Sequence, residues 1–219
     1  KGVVVVGRNA ETNAEVARVH GERVRIVLGD VRALETHREA ASAAIEAYGK
    51  IDVYVPNAAL ARVRPLEAVE EADFDETMDS DFKAVLFGVQ ITVPHMNDGG
   101  AIVLVSSIAG LKGMPGFAVY SGAKAAVRQL ARSLAVELGP RGIRTNVLAP
   151  GVVETPALGK LGMPRDAFDE AMKPIIESAP LQRMAMATEM ASIAAFLASD
   201  DASYVTGAEI VADGGVTAT

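Results

Sequence analysis

The chain has 219 residues, half of them hydrophobic, 22% charged and 5% aromatic, with no cysteine. This composition excludes a disordered chain, a disulfide scaffold, thiolate metal sites and a cysteine nucleophile, and it fits a reducing, cytoplasmic setting. A net charge of −7 favours neither nucleic acid nor an anionic membrane, and no apolar run approaches the roughly 20 residues of a membrane span, so the expected partner is a small molecule or a protein.

In chain order, short β-branched runs alternate with longer Ala/Leu/Glu/Arg-rich stretches. The pattern predicts a strand over Gly2–Val6, a helix over Ala10–Val19, a strand over Val24–Leu28, a helix over Leu34–Tyr48 and a strand over Ile51–Val55. A long helix over Phe74–His95, a strand over Ala101–Val105, a second long helix over Ala118–Leu138 and a strand over Arg144–Leu148 follow. An inserted helical segment over Pro164–Ser178, a helix over Thr188–Ala198 and a strand over Ala208–Val211 complete the series. Strands that are apolar without alternation are buried on both faces, so the expected architecture is a doubly wound α/β domain, a parallel sheet between two helical layers, over residues 1–219. The two long helices are apolar around much of their circumference, which suits either a subunit interface, giving a homodimer or homotetramer, or deep burial within one subunit.

Ligands of open α/β sheets bind at the carboxyl ends of the strands. The residues there are Gly7-Arg8-Asn9, Gly29-Asp30-Val31, Pro56-Asn57-Ala58-Ala59, Ser106-Ser107 and Pro150-Gly151, the last leading through Val153 to Thr155. Tyr120 and Lys124, four apart at a helix start, share one face. An ammonium beside a tyrosine, whose hydroxyl ordinarily titrates near pH 10, favours the phenolate and makes a proton exchanger for an alcohol or ketone. Alone, that spacing is more often a chance surface pair than a catalytic one. His20, His37 and His95 lack ligand spacing, and no metal is expected.

Ser107 in IVLVSSIAG lies thirteen positions before Tyr120, which opens Tyr120-Ser121-Gly122-Ala123-Lys124; IRTNVLAPGVVET spans Ile143 to Thr155, and LASDDASYVTGAEIVADGG begins at Leu197. On these residues the sequence resembles the classical short-chain dehydrogenases/reductases, within them the 3-oxoacyl-carrier-protein reductase and glucose dehydrogenase-like group, along essentially its whole length. The resemblance implies a Rossmann-like fold and hydride transfer between a nicotinamide dinucleotide and a carbonyl or alcohol. It implies Tyr120 as general acid/base, Ser107 as the group that positions and polarises the carbonyl, and Lys124 as the residue that lowers the Tyr120 pKa and bonds the nicotinamide ribose. It assigns Asp30 and Val31 to the adenine, Asn57, Ala58 and Ala59 to the adenosine side, Pro150, Gly151, Val153 and Thr155 to the carboxamide, and about 156–180 to a substrate lid. In that lid Met163, Phe168, Met172, Ile175 and Ile176 are apolar, suiting an apolar substrate or plain packing. The first strand ends Gly7-Arg8-Asn9 with no acid for a ribose 2′-hydroxyl, which favours NADP(H) over NAD(H) if Arg8 meets a 2′-phosphate rather than serving as a solvated turn residue.

Three departures from the family pattern stand out. Asp81 in MDSDFKAVLFG replaces the asparagine of the family's catalytic tetrad; it either pairs with Lys124 and tunes the proton relay or merely ends the acidic series from Glu70 to Asp79. Pro56-Asn57-Ala58-Ala59 replaces Asn-Asn-Ala-Gly, removing one amide and adding a Cβ on the adenosine side. No Gly-rich strand-to-helix turn precedes Gly2, so the pyrophosphate loop and the middle strand of the family's sheet are missing. Two inner strand edges are expected to lie unpaired, and the expectation is an upstream βα unit of roughly 25–35 residues. These departures also define the alternative function, a catalytically silent relative acting as a binding or scaffold protein.

Overall fold

The computed structural model describes residues 2–155 and 165–218. Its strands are β1 (Val3–Gly7), β2 (Val24–Leu28), β3 (Ile51–Tyr54), β4 (Met96–Val105), β5 (Arg144–Pro150), β6 (Val153–Glu154), β7 (Ala185–Met186) and β8 (Glu209–Ala212). Its α-helices are α1 (Ala10–His20), α2 (Leu34–Tyr48), α3 (Glu71–Met78), α4 (Ala84–Thr92), α5 (Ala118–Leu138), α6 (Arg165–Ser178) and α7 (Ala187–Ala198). All strand pairs are parallel, as βαβ crossovers require. The fold is the Rossmann-like α/β arrangement expected from the alternation of strands and helices.

The main sheet runs β3-β4-β5-β8, while β1 and β2 pair separately. Among the described residues, the inner edges of β1 and β3 carry no strand partner, the two edges expected to be unpaired. Val3, Val53 and Val55 are correspondingly exposed. Helix α2 packs on β1, β2 and β3 alike and so ties the two sheets together.

The centre of the main sheet shows why its strands read as unbroken apolar runs. From β4, Ile102 and Leu104 point into a cluster with Val85 and Val89 of α4 and Val127 and Ala131 of α5. Val103 points the opposite way, onto Leu148 of β5 and Leu197 of α7. Each residue of the run therefore meets helices, whichever face it takes.

One predicted helix is divided. Phe74–His95 read as a single periodic segment, but α3 and α4 are separated by a π-turn over Asp79–Lys83 and followed by a 3₁₀ turn over Val93–His95. The extra residue of a π-turn shifts the helix face, and apolar periodicity alone does not reveal such a shift. The two-residue strands β6 and β7, absent from the sequence reading, are too short to carry a period. Among the described residues no helix is long and apolar enough to cross a membrane.

Candidate active site

The carboxyl end of β4 and the first turns of α5 carry three of the residues expected to be catalytic, Ser107, Tyr120 and Lys124. β4 delivers the chain to Ser107, whose hydroxyl oxygen accepts from the Ala109 amide at 3.2 Å and caps the 3₁₀ turn Ile108–Gly110. The preceding Ser106 is buried and donates to the Lys124 carbonyl at 3.0 Å, pinning the start of α5 to the strand end. This fixes Tyr120, two residues into α5, beside Ser107, with the two hydroxyls close enough to influence one another. The Tyr120 ring packs edge-on against Phe117, with centroids 6.1 Å apart.

One turn further, Lys124 is 2% exposed; its Nζ lies 5.5 Å from the Tyr120 ring centroid, donates to the Val105 carbonyl at 3.2 Å, and stands 3.4 Å from Asp81 Oδ2. The π-turn presents Asp81 to this point, fully buried, and its Oδ1 accepts from the Leu60 amide at 2.7 Å. Asp81 is therefore grouped with Lys124 and Tyr120 rather than with the solvated acidic face that precedes it.

Burial dominates the electrostatics around Tyr120. Burial, and next the negative charge of Asp81, push the Tyr120 hydroxyl up to about 12, with the Ser107 hydrogen bond pulling the other way. Burial is the larger cause of this rise, and the Asp81 carboxylate adds to it. Burial lowers the Lys124 pKa and raises that of Asp81, and their mutual attraction opposes both shifts.

A second pocket opens where β1 and β2 end and meets the loop after β3. Gly7, Arg8, Gly29, Asp30, Val31 and Ala58 are among its lining residues. Asp30 is clamped by Arg32, with Nη2–Oδ2 at 2.8 Å, and its carboxyl is held below the usual range mainly by that side chain. Arg8 stands 3.6 Å from the same carboxylate with its side chain 69% exposed at the rim, the more distant of that carboxylate's two cationic partners. Glycines at the floor bring backbone to the surface: a Cβ on Gly29 would lie 2.5 Å from Thr36 Oγ1. Close backbone, one carboxylate and an exposed guanidinium suit the adenosine half of a dinucleotide, so the residues present fit an NAD(P) cofactor.

The predicted site residues do not all converge. Arg8, Asp30, Val31, Ala58 and Ala59 line this pocket. Asn9 instead caps α1, its side chain accepting from the Thr12 amide at 3.0 Å, and neither it nor Asn57 is among the lining residues. Pro150 ends β5, Gly151 is held by a bond from its amide to the Ala212 carbonyl, and Val153 pairs with Ala185 in the short sheet, leaving Thr155 just beyond it. Arg32 escaped the sequence reading, although it directly follows the Asp30-Val31 pair.

Over Tyr120, the anticipated lid residues Phe168 and Met172 are buried against Phe117, with Val63, Met114 and Val152 at the margin. Ile175 and Ile176 are half-buried in the same cluster. Met163 and the rest of 156–164 lie outside the described residues.

The sequence model of the family described as "Enoyl-(Acyl carrier protein) reductase" matches residues 2–217. The chain belongs to the classical short-chain dehydrogenase/reductase family. It is similar to 3-oxoacyl-[acyl-carrier-protein] reductase FabG of Thermotoga maritima, 40% identical over 181 residues that cover 82% of this chain and 71% of the relative. It is also similar to 2-(R)-hydroxypropyl-CoM dehydrogenase of Xanthobacter autotrophicus, 34% identical over 226 residues covering 99% of this chain and 88% of the relative. Among solved structures, a short-chain dehydrogenase/reductase described as glucose/ribitol dehydrogenase from Brucella melitensis superposes with a TM-score of 0.90 at 28% identity, covering 98% of this chain and 86% of that one. As a short-chain dehydrogenase/reductase, the protein is an NAD(P)-dependent oxidoreductase acting on CH–OH or C=O groups.

Proposed function

We propose that this short-chain dehydrogenase/reductase interconverts a carbonyl compound and its alcohol with NADP(H), using Tyr120 as the general acid/base. The observation that carries the reading is the juxtaposition of the Tyr120 and Ser107 hydroxyls, backed by the buried Lys124–Asp81 pair, at a strand's carboxyl end. When bound, the cofactor supplies or accepts the hydride.

In the reducing direction, Ser107 and Tyr120 hydroxyls both donate to the substrate oxygen, which orients the carbonyl and draws electron density toward it. Tyr120 then gives its proton to the oxygen as negative charge develops there. A hydroxyl held at about 12 stays protonated throughout the neutral range, so the enzyme rests ready to reduce. Lys124 stabilises the phenolate left behind, and Asp81 limits how far it does so. Alcohol oxidation runs the same steps backwards and requires Tyr120 first to lose its proton.

The adenosine half sits in the pocket of Gly7, Asp30 and Val31, with Arg8 meeting a 2′-phosphate. Asp30 is already satisfied by Arg32 and leaves Arg8 the weaker partner. The residues from Pro150 to Thr155, at the end of β5, hold the carboxamide end, and Asn57 and Asn9 stand behind the adenosine side. In the lid expected over about 156–180, Phe168 and Met172 cover a small-molecule substrate carrying an apolar substituent beside its carbonyl. The absence of cysteine supports a reducing cytoplasmic location. The long helical faces of α3, α4 and α5, with Phe74 and Val136 exposed on them, support a homodimer or homotetramer.

Titrating the whole protein with NADPH and with NADH while following nicotinamide fluorescence tests this reading. Tighter binding of NADPH is the expected result, and binding of neither would overturn it in favour of a silent scaffold relative.

A further inference from the structure

The floor of the adenosine-side pocket is largely backbone, and two buried side chains from the helices behind it hold that backbone in place. The carbonyl of Gly7, at the end of β1, accepts from the Gly29 amide at 3.2 Å and from Asn13 Nδ2 at 3.1 Å. Asn13 is the one buried residue of α1. A Cβ on Gly7 would come within 2.8 Å of Asn13 Oδ1, so the glycine leaves the amide the room it needs to approach.

The neighbouring loop is held in the same way from α2. The Val31 carbonyl contacts His37 Nε2 at 2.7 Å. Because a carbonyl can only accept, the proton of the neutral imidazole sits on Nε2, and Nδ1 is left as an acceptor facing the Tyr54 hydroxyl at 3.5 Å. Burial lowers the His37 pKa and keeps the ring in that neutral form at pH 7. Helix α4 makes space for the relay, since a Cβ on Gly88 would lie 2.2 Å from the Tyr54 hydroxyl oxygen and 2.9 Å from the His37 ring. A glycine inside a buried helix is otherwise an unfavourable choice. Gly7 and Val31 both line the pocket, whereas Asn13 and His37 do not.

We propose that Asn13 and His37 are positioning residues for the adenosine half of the cofactor: each fixes the carbonyl of a pocket-lining loop, and Tyr54 and Gly88 fix the His37 ring in turn. The inference rests on the assignment of this pocket to adenosine. Loops held in their binding conformation before the ligand arrives spare it the cost of ordering them. The effect should therefore fall on binding of the adenosine moiety and leave the proton and hydride steps at Tyr120 alone.

The test compares NADPH with reduced nicotinamide mononucleotide, which carries the hydride but no adenosine, in the whole protein and in the variants His37→Ala, His37→Gln, Asn13→Ala and Tyr54→Phe. For His37→Ala and Asn13→Ala the KM and Kd for NADPH are expected to rise about tenfold, the scale of one lost buried hydrogen bond, while kcat and the KM for the mononucleotide hold. His37→Gln, which keeps a donor, should recover most of the loss, and Tyr54→Phe, which removes only a hydroxyl, should show a smaller rise of the same kind. The Tyr54→Phe and His37→Gln results decide the matter if an alanine variant does not fold. Equal losses for both nucleotides, or unchanged NADPH affinity, would overturn the inference alone. Failure of the unaltered protein to bind NADPH or NADH would overturn the pocket's assignment and the inference with it.

Discussion

Lys124 Nζ stands 3.4 Å from Asp81 Oδ2, and both side chains are almost wholly removed from solvent. Two opposite charges buried this deeply survive only because each has further partners: Lys124 donates to the Val105 carbonyl and Asp81 accepts from the Leu60 amide. The pair ties the loop after β3, the π-turn and the start of α5 into one unit directly behind Tyr120. It also sets the charge that Tyr120 experiences.

Replacing Asp81 by asparagine removes the negative charge that raises the Tyr120 pKa and frees the Lys124 charge to act on the phenolate. Both changes move the Tyr120 pKa toward acid. Alcohol oxidation, which needs the phenolate, should gain about threefold to tenfold at pH 7, and the rising limb of its kcat–pH profile should move to lower pH. A profile that superimposes on that of the parent would show that Asp81 does not tune the relay.

Lys124→Met should leave Asp81 as a lone buried carboxyl and cost about 3–5 kcal/mol of stability, with most of it recovered in the Lys124→Met, Asp81→Asn double variant. The sign of the pH dependence follows from Asp81. Its folded-state pKa is already raised by burial and rises further without the lysine, so the folded state holds the proton more tightly than the unfolded chain. The single variant should therefore lose stability as pH rises above the ordinary carboxylate range and regain it in acid. Denaturant melts at pH 5 and pH 8 measure this, and a loss independent of pH would contradict it.

The reactive residues were legible in the sequence partly because their geometry is local. Tyr120 and Lys124 are one helical turn apart and Ser107 sits where a strand ends, but the spacing alone suits a chance surface pair as well, and the family resemblance is what singled them out. Asp81 was placed near Lys124 only by family resemblance, because the π-turn that delivers it breaks the periodicity by which a helix is read. Asn13 and His37 were silent for a different reason: their partners are backbone carbonyls, which leave no mark in the side-chain pattern. Asn9 carries two readings, because asparagine before a helix serves equally as a ligand contact and as an N-cap, and the cap is formed.

Arg8→Ala should weaken NADPH binding by about 10- to 100-fold and leave NADH within a few fold, because a charge-assisted bond to a 2′-phosphate is lost and a ribose hydroxyl never made it. Parallel fluorescence titrations with the two nucleotides give the ratio directly. Equal weakening of both would place Arg8 among the solvated turn residues and return the choice of cofactor to other groups.

The central claim, that Tyr120 is the acid/base of carbonyl reduction, is tested most directly by following NADPH consumption over a panel of apolar ketones and aldehydes with the whole protein and its Tyr120→Phe variant. The substitution keeps the ring contact with Phe117 and removes only the hydroxyl, so folding and NADPH affinity provide internal controls. The account predicts that turnover of every carbonyl the parent reduces falls by about 10²- to 10⁴-fold, with the Kd for NADPH little changed. Turnover within a few fold of the parent would contradict it.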